Sequence, residues 1–201
     1  MVETSIPRAH NQTFEEIKSS SFGLTPSSFA DFLSAKLPTI SNEQINDILQ
    51  IAFNLLPITL ENKHISHLPF QLVALRDEIN TSKYLLQFED NWDGEGSEKY
   101  SSKTWVKAVS FICNYANRVF YDYGQTIPIP AIYHGPKESI DLYWKNESFN
   151  LLVNFPKEDS ELASFYGDDH STQKVEGYFN PEKFQTLLFP FASSQQKSIP
   201  A

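Results

Sequence analysis

The stretch "SIDLYWKNESFNLLVNF", residues 139–155, decides the fold. Its apolar residues alternate with polar ones, the period of a strand with one buried face. Ile140, Leu142 and Trp144 share one face of a first strand, and Phe149, Leu151, Val153 and Phe155 share one face of a second. With Asn146-Glu147 as a two-residue turn, Trp144 faces Phe149, Leu142 faces Leu151 and Ile140 faces Val153. A slip of one residue would turn one apolar face to solvent, so that register is excluded. An antiparallel hairpin is therefore expected.

Outward from the hairpin, "AIYH" before it and "LASFYG" and "KVEGYF" after it supply further short strands. A last short helix, "PEKFQTLLF", opens at Asn180-Pro181. Upstream, Trp105, Val109, Ile112, Ala116, Val119 and Tyr123 recur in steps of four and three. That is the stripe of a long amphipathic helix, begun by Ser101 or Ser102 and stopped at Gly124. A third helix is expected from Pro69 to Phe88, with Leu72, Leu75, Ile79 and Leu86 as its stripe. Two shorter helices precede it. In "LTPSSFADFLSAKL", Thr25 caps, Pro26 takes the first helical position, and Phe29, Phe32, Leu33 and Leu37 form a face. In "SNEQINDILQIAFNLLP", Ser41 and Gln44 make a capping box. Ile45, Ile48, Leu49, Ala52, Phe53 and Leu56 form its face, and Pro57 ends it. "HISHLPF" reads as a loop leading into the third helix.

The expected fold is α+β: N-terminal helices, then an antiparallel meander of about five strands packed on the long helix. The expected organisation is a tail over 1–12, a helical extension over 13–66, a core domain over 67–190 and a C-terminal tail over 191–201.

The chain has 201 residues, enough for a core without staples, and its composition is globular: 40% hydrophobic and 14% aromatic. Cys113, the single cysteine, excludes an intrachain disulfide and favours a cytoplasmic location. It sits beside Ile112 and reads as a core thiol. The start lacks the pattern of a signal peptide, and no run of residues is long and apolar enough to span a membrane. The formal net charge is −9, with the acidity concentrated in residues 89–180. No basic cluster offers itself to phosphates, so direct nucleic-acid binding is not expected; a protein partner with a basic surface is.

Three motifs in order, "NWDGEG" at 91–96, "GPKESIDLYWKN" at 135–146 and "ASFYGDD" at 163–169, carry a resemblance. Over roughly residues 68–190 the chain resembles a widespread, largely uncharacterised family of bacterial proteins, frequent in cyanobacteria. The resemblance implies a fold unit and supplies no chemistry.

The acidic loop "QFEDNWDGEGSEKY", residues 87–100, poses the functional question. Read as a calcium loop with Gly94 at its sixth position, it places Glu89, Asn91, Asp93 and Ser97 in ligand slots. The twelfth position, a bidentate carboxylate in such loops, is Tyr100. The stronger reading is a joint between helices: Trp92 as an anchor, Asn91 or Asp93 in an Asx-turn, and Gly94 and Gly96 supplying positive φ. A second cluster, "FYGDDH", contributes Tyr166, Gly167 and Asp168 as interaction or loop-structuring positions. Asp93, His134, Asp169 and His170 are the candidate metal ligands. His64 and His67, three apart, would share a face if helical. No nucleophile elbow, phosphate loop or dinucleotide fingerprint is present, and no cofactor is expected.

These features lead to a non-enzymatic interaction subunit, antitoxin-like or an adaptor in a bacterial conflict or defence system. The alternative is a metal-dependent or acid–base hydrolase using Asp93, Glu95, Asp168, Asp169 and His134.

Overall fold

A computed structural model describes residues 26–182 apart from 38, 159 and 173. Thr25, both tails and, beyond Glu182, the helix expected over "PEKFQTLLF" lie outside the described residues. The chain divides into two compact units at Leu55 and Leu56.

The smaller unit holds α1 (Pro26–Lys36) and α2 (Asn42–Phe53). Phe29, Leu33, Ile45, Leu49 and Leu55 form its core, with Phe53 edge-on to Phe29 at 5.4 Å. Phe32 and Leu37, expected on the buried face of α1, are exposed. The capping box is present: the Gln44 amide donates to Ser41 Oγ, and the Ser41 amide to Gln44 Oε1. The helix ends earlier than Pro57 would end it. Asn54 takes the left-handed conformation (φ 50°) and its N–H donates to the Gln50 carbonyl.

Pro57 lies instead in β1 (Leu55–Leu60), which pairs with β2 (Lys63–Pro69). Glu61 and Asn62 connect them with φ of 49° and 63°, the two positive values that a tight hairpin turn requires. "HISHLPF" is therefore mostly strand, not loop. Residues 56–66, assigned above to a helical extension, belong to the larger unit.

The expected third helix is broken. A 3-10 turn (Phe70–Leu72) leads into α3 (Val73–Thr81), and a second 3-10 segment runs from Ser82 to Gln87. Three residues per turn replace 3.6 in that segment. Ile79, Ser82 and Leu85 consequently line up on the buried side, and Leu86, expected in the stripe, is only partly buried. The long helix, α4 (Ser102–Tyr123), is as expected: Ser101 Oγ accepts from the Lys103 and Thr104 amides, and Gly124 closes it at φ 64°. Trp105, Val109, Ile112, Ala116 and Val119 are buried, while Tyr123 at its end is exposed. Trp105 is fully enclosed, and its indole N–H donates to Ser82 Oγ at 2.9 Å. A buried indole needs such a partner.

Five strands follow in a meander: β3 (Ala131–His134), β4 (Ile140–Lys145), β5 (Asn150–Phe155), β6 (Ala163–Asp168) and β7 (Lys174–Phe179). Each pairs antiparallel with its chain neighbour. Ile140, Leu142, Trp144, Leu151, Val153, Phe155, Ala163, Phe165 and Phe179 form the inner face and join the core that α4 contributes to. Each large side chain buried there contributes roughly 1.5–3 kcal/mol.

The register of the central hairpin differs from expectation by two residues. Trp144 faces Leu151, Leu142 faces Val153 and Ile140 faces Phe155. A shift of two leaves every side chain on its own face, so alternation alone does not distinguish the two registers. Asn146 decides between them. Its Oδ1 accepts from the amides of Ser148 and Phe149, and its amide donates to the Phe149 carbonyl. Trp144 and Phe149 are both buried, as expected of them, but they are not cross-strand partners.

Candidate functional site

The acidic loop between the second 3-10 segment and α4 is held by its own side chains. Asp93 Oδ1 accepts from the amides of Glu95 (2.9 Å) and Ser97 (3.3 Å), and Oδ2 from Ser97 Oγ (2.5 Å). Asn91 Oδ1 accepts from the Gly96 amide, and the Asn91 amide donates to the Ser97 carbonyl. Gly94 (φ 75°) and Gly96 (φ 92°) take the positive angles this closure needs. These bonds favour the ionised carboxylate, and they draw the Asp93 pKa below its ordinary value.

Trp92 is partly buried, stacked on Phe88 at 4.4 Å and 5.2 Å from the His134 ring. Tyr100, at the twelfth position of the calcium-loop reading, is buried, and its hydroxyl donates to the Gly135 carbonyl. The loop thus ties the approach to α4 to the end of β3. Lys157 adds ion pairs to Glu98 and Glu138. Glu89, Asp90, Asp93, Glu95 and Glu98 are exposed.

The "FYGDDH" cluster sits at the opposite end of the sheet. Asp168 Oδ1 accepts from the His170 amide at 3.0 Å, and His170 Nε2 lies 2.7 Å from the Asn146 carbonyl. Asp169 Oδ1 accepts from the Ser171 amide and hydroxyl. Gly167 lies on the inner face opposite Leu151 and Val175. His134 pairs with Ile140 at the start of β4, whereas His170 meets Asn146 just past its end. Six residues of strand separate these points by about 20 Å. The carboxylates and histidines of the hydrolase reading therefore do not converge. Among the described residues there is no group of three or more His, Cys, Asp or Glu placed to hold a metal ion. Cys113 is buried, and burial pushes its thiol up to about 12.

Asp141 and Asn154 were not singled out in the sequence. Asp141 is 6% exposed, and the Asn154 amide donates to its Oδ1 at 2.6 Å and to Ser139 Oγ at 2.7 Å. Burial raises the Asp141 pKa, an effect opposed by the Asn154 bond and by His134 nearby. A side chain at Gly135 would strike Ser139 Oγ, so glycine is required there. Alternation puts Asp141 on the outer face, between the inward Ile140 and Leu142, so its burial leaves no signal in the sequence.

The outer face of the sheet carries the other unexplained residues. One cross-strand row runs Ala131, Tyr143, Leu152, Tyr166, Glu176; a second runs Tyr133, Asp141, Asn154, Ser164, Tyr178. Tyr166 and Leu162 are exposed, and Tyr178 is 77% exposed. Between β5, β6 and β7 lies a shallow groove of about 410 Å³ lined by Leu152, Asn154, Ser164, Tyr166, Glu176 and Tyr178. Of these residues only Tyr166 is singled out in the sequence: alternation puts Tyr166 and Tyr178 opposite Phe165 and Phe179, but does not say whether another element covers that face.

Comparisons with protein-family models, with curated proteins and with solved structures find no match to this chain. No helix among the described residues is long and apolar enough to cross a membrane.

Proposed function

We propose that this protein acts by binding another protein at the outer face of its five-stranded sheet, as an antitoxin-like or adaptor subunit. The observation that carries the reading is the pair of exposed tyrosines, Tyr166 and Tyr178, that line a groove together with Leu152. Tyrosine offers a large contact area and a polar tip, and it is enriched where proteins bind one another. The net charge of −9 and Glu176 beside the groove favour a partner with a basic surface. The alternative hydrolase reading finds no support in the geometry, since its two loops lie at opposite ends of β4.

A photo-crosslinking residue at position 178 tests this, with position 114 on the exposed side of α4 as the control. A discrete protein adduct is expected from 178 and not from 114, and it should weaken as salt is raised. Equal adducts from both positions, or none from 178, would remove the outer face from consideration.

A further inference from the structure

The geometry points to a divalent transition-metal site at His64 and His67, where the side-chain alternation of β2 breaks once. On a regular strand, residues three apart point to opposite faces. Here Ile65 and Leu68 both pack into the core, so the alternation breaks once between them. The same break brings His64 and His67 together on the other side. His64 Nε2 and His67 Nδ1 lie 3.1 Å apart, with ring centroids separated by 4.1 Å.

That spacing fits two ligands on one ion. With metal–nitrogen bonds of about 2.05 Å, a 3.1 Å separation gives an angle at the metal of about 98°, between the square-planar and tetrahedral values. His67 is fixed through its main chain, because Asn117 on α4 donates its side-chain amide to the His67 carbonyl at 2.8 Å. His67 Nε2 and Asn117 Oδ1 are both buried and have no hydrogen-bond partner among the described residues.

In the metal-free pair, a proton on His67 Nδ1 donates to His64 Nε2 and leaves no orphan N–H on the buried side. Binding an ion at Nδ1 moves that proton to the buried, unpartnered Nε2, so no proton is released and the metal–nitrogen bonds must outweigh one unsatisfied N–H. Two neutral imidazoles with water at the remaining positions suit Cu²⁺ best and Zn²⁺ next.

The test is titration of the full chain with Cu²⁺ and, separately, Zn²⁺. Cu²⁺ is followed by electron paramagnetic resonance, and Zn²⁺ by imidazole nitrogen shifts. The expected result is one Cu²⁺ per chain with two nitrogen ligands, and a His67 tautomer change on adding Zn²⁺. His64→Gln, at an exposed position, keeps the fold testable; it should weaken Cu²⁺ binding at least tenfold. His134→Gln and His170→Gln should leave it unchanged. Absence of stoichiometric binding, or binding that His64→Gln leaves intact, overturns the site.

Discussion

At the scale of single residues, Trp92 and Asp93 divide the work of the acidic loop. Trp92 supplies ring contact with Phe88 and His134, and Asp93 supplies acceptors for the loop's amides. Trp92→Ala should lower stability by about 2–3 kcal/mol, below the cost of a fully enclosed tryptophan because Trp92 is only partly buried. Asp93→Asn should shift the melting temperature less, since the amide oxygen still accepts. A thermal melt of both variants checks the order; an Asp93→Asn protein with a parental melting temperature but no partner binding would give the loop a role in recognition. Asp141 makes a separate prediction. Its raised pKa means that the folded chain binds more protons than the unfolded one between about pH 3.9 and the raised value. Stability therefore falls as pH rises through that interval, and the ionised carboxylate opposes folding at neutral pH. Asp141→Asn keeps an acceptor for Asn154 and should remove this limb. Denaturant titrations from pH 4 to pH 7 should show the variant gaining on the parent as pH rises. Parallel curves would mean that Asp141 ionises freely.

Among the elements, the periodic ones were legible and the irregular ones were not. The stripe of α4 and the alternation of β4 and β5 repeat often enough to survive any single exception. The β1–β2 hairpin does not: Pro57 imitates a helix stop, and the break between Ile65 and Leu68 erases the strand period. The 3-10 segment after α3 moved burial from Leu86 to Leu85 for a similar reason, since a tighter turn changes which residues align. The hairpin register was missed because it rests on one side chain. Asn146→Ala should cost about 1 kcal/mol, the worth of the side-chain bonds that hold the turn. Glu147→Ala, which removes no such bond, should be neutral. Equal losses in chemical denaturation would show that the strands alone set the register. The candidate site was the least legible part: alternation puts Tyr133, Tyr143, Tyr166 and Tyr178 on one face, but whether another element covers that face depends on tertiary packing.

For the whole molecule, the division at Leu55 and Leu56 has a direct test. A fragment of residues 56–201 keeps the core built from Ile58, Leu68, α4 and the sheet, and should unfold in one cooperative transition. A fragment beginning at residue 70 loses β2 from α4 and should not. If both behave alike by circular dichroism and calorimetry, the hairpin is dispensable.

The meander has a consequence for kinetics. Because the strand order is the chain order, every sheet pairing closes a short loop, and short loops cost little entropy to close. Such topologies fold faster than sheets built from distant strands. The distant step is the seating of β2 and the 3-10 segment on α4, joined by the bonds from Asn117 to His67 and from Trp105 to Ser82. The search for the native state therefore turns on bringing α4 back against what precedes it, while the strands assemble as a sequence of neighbours.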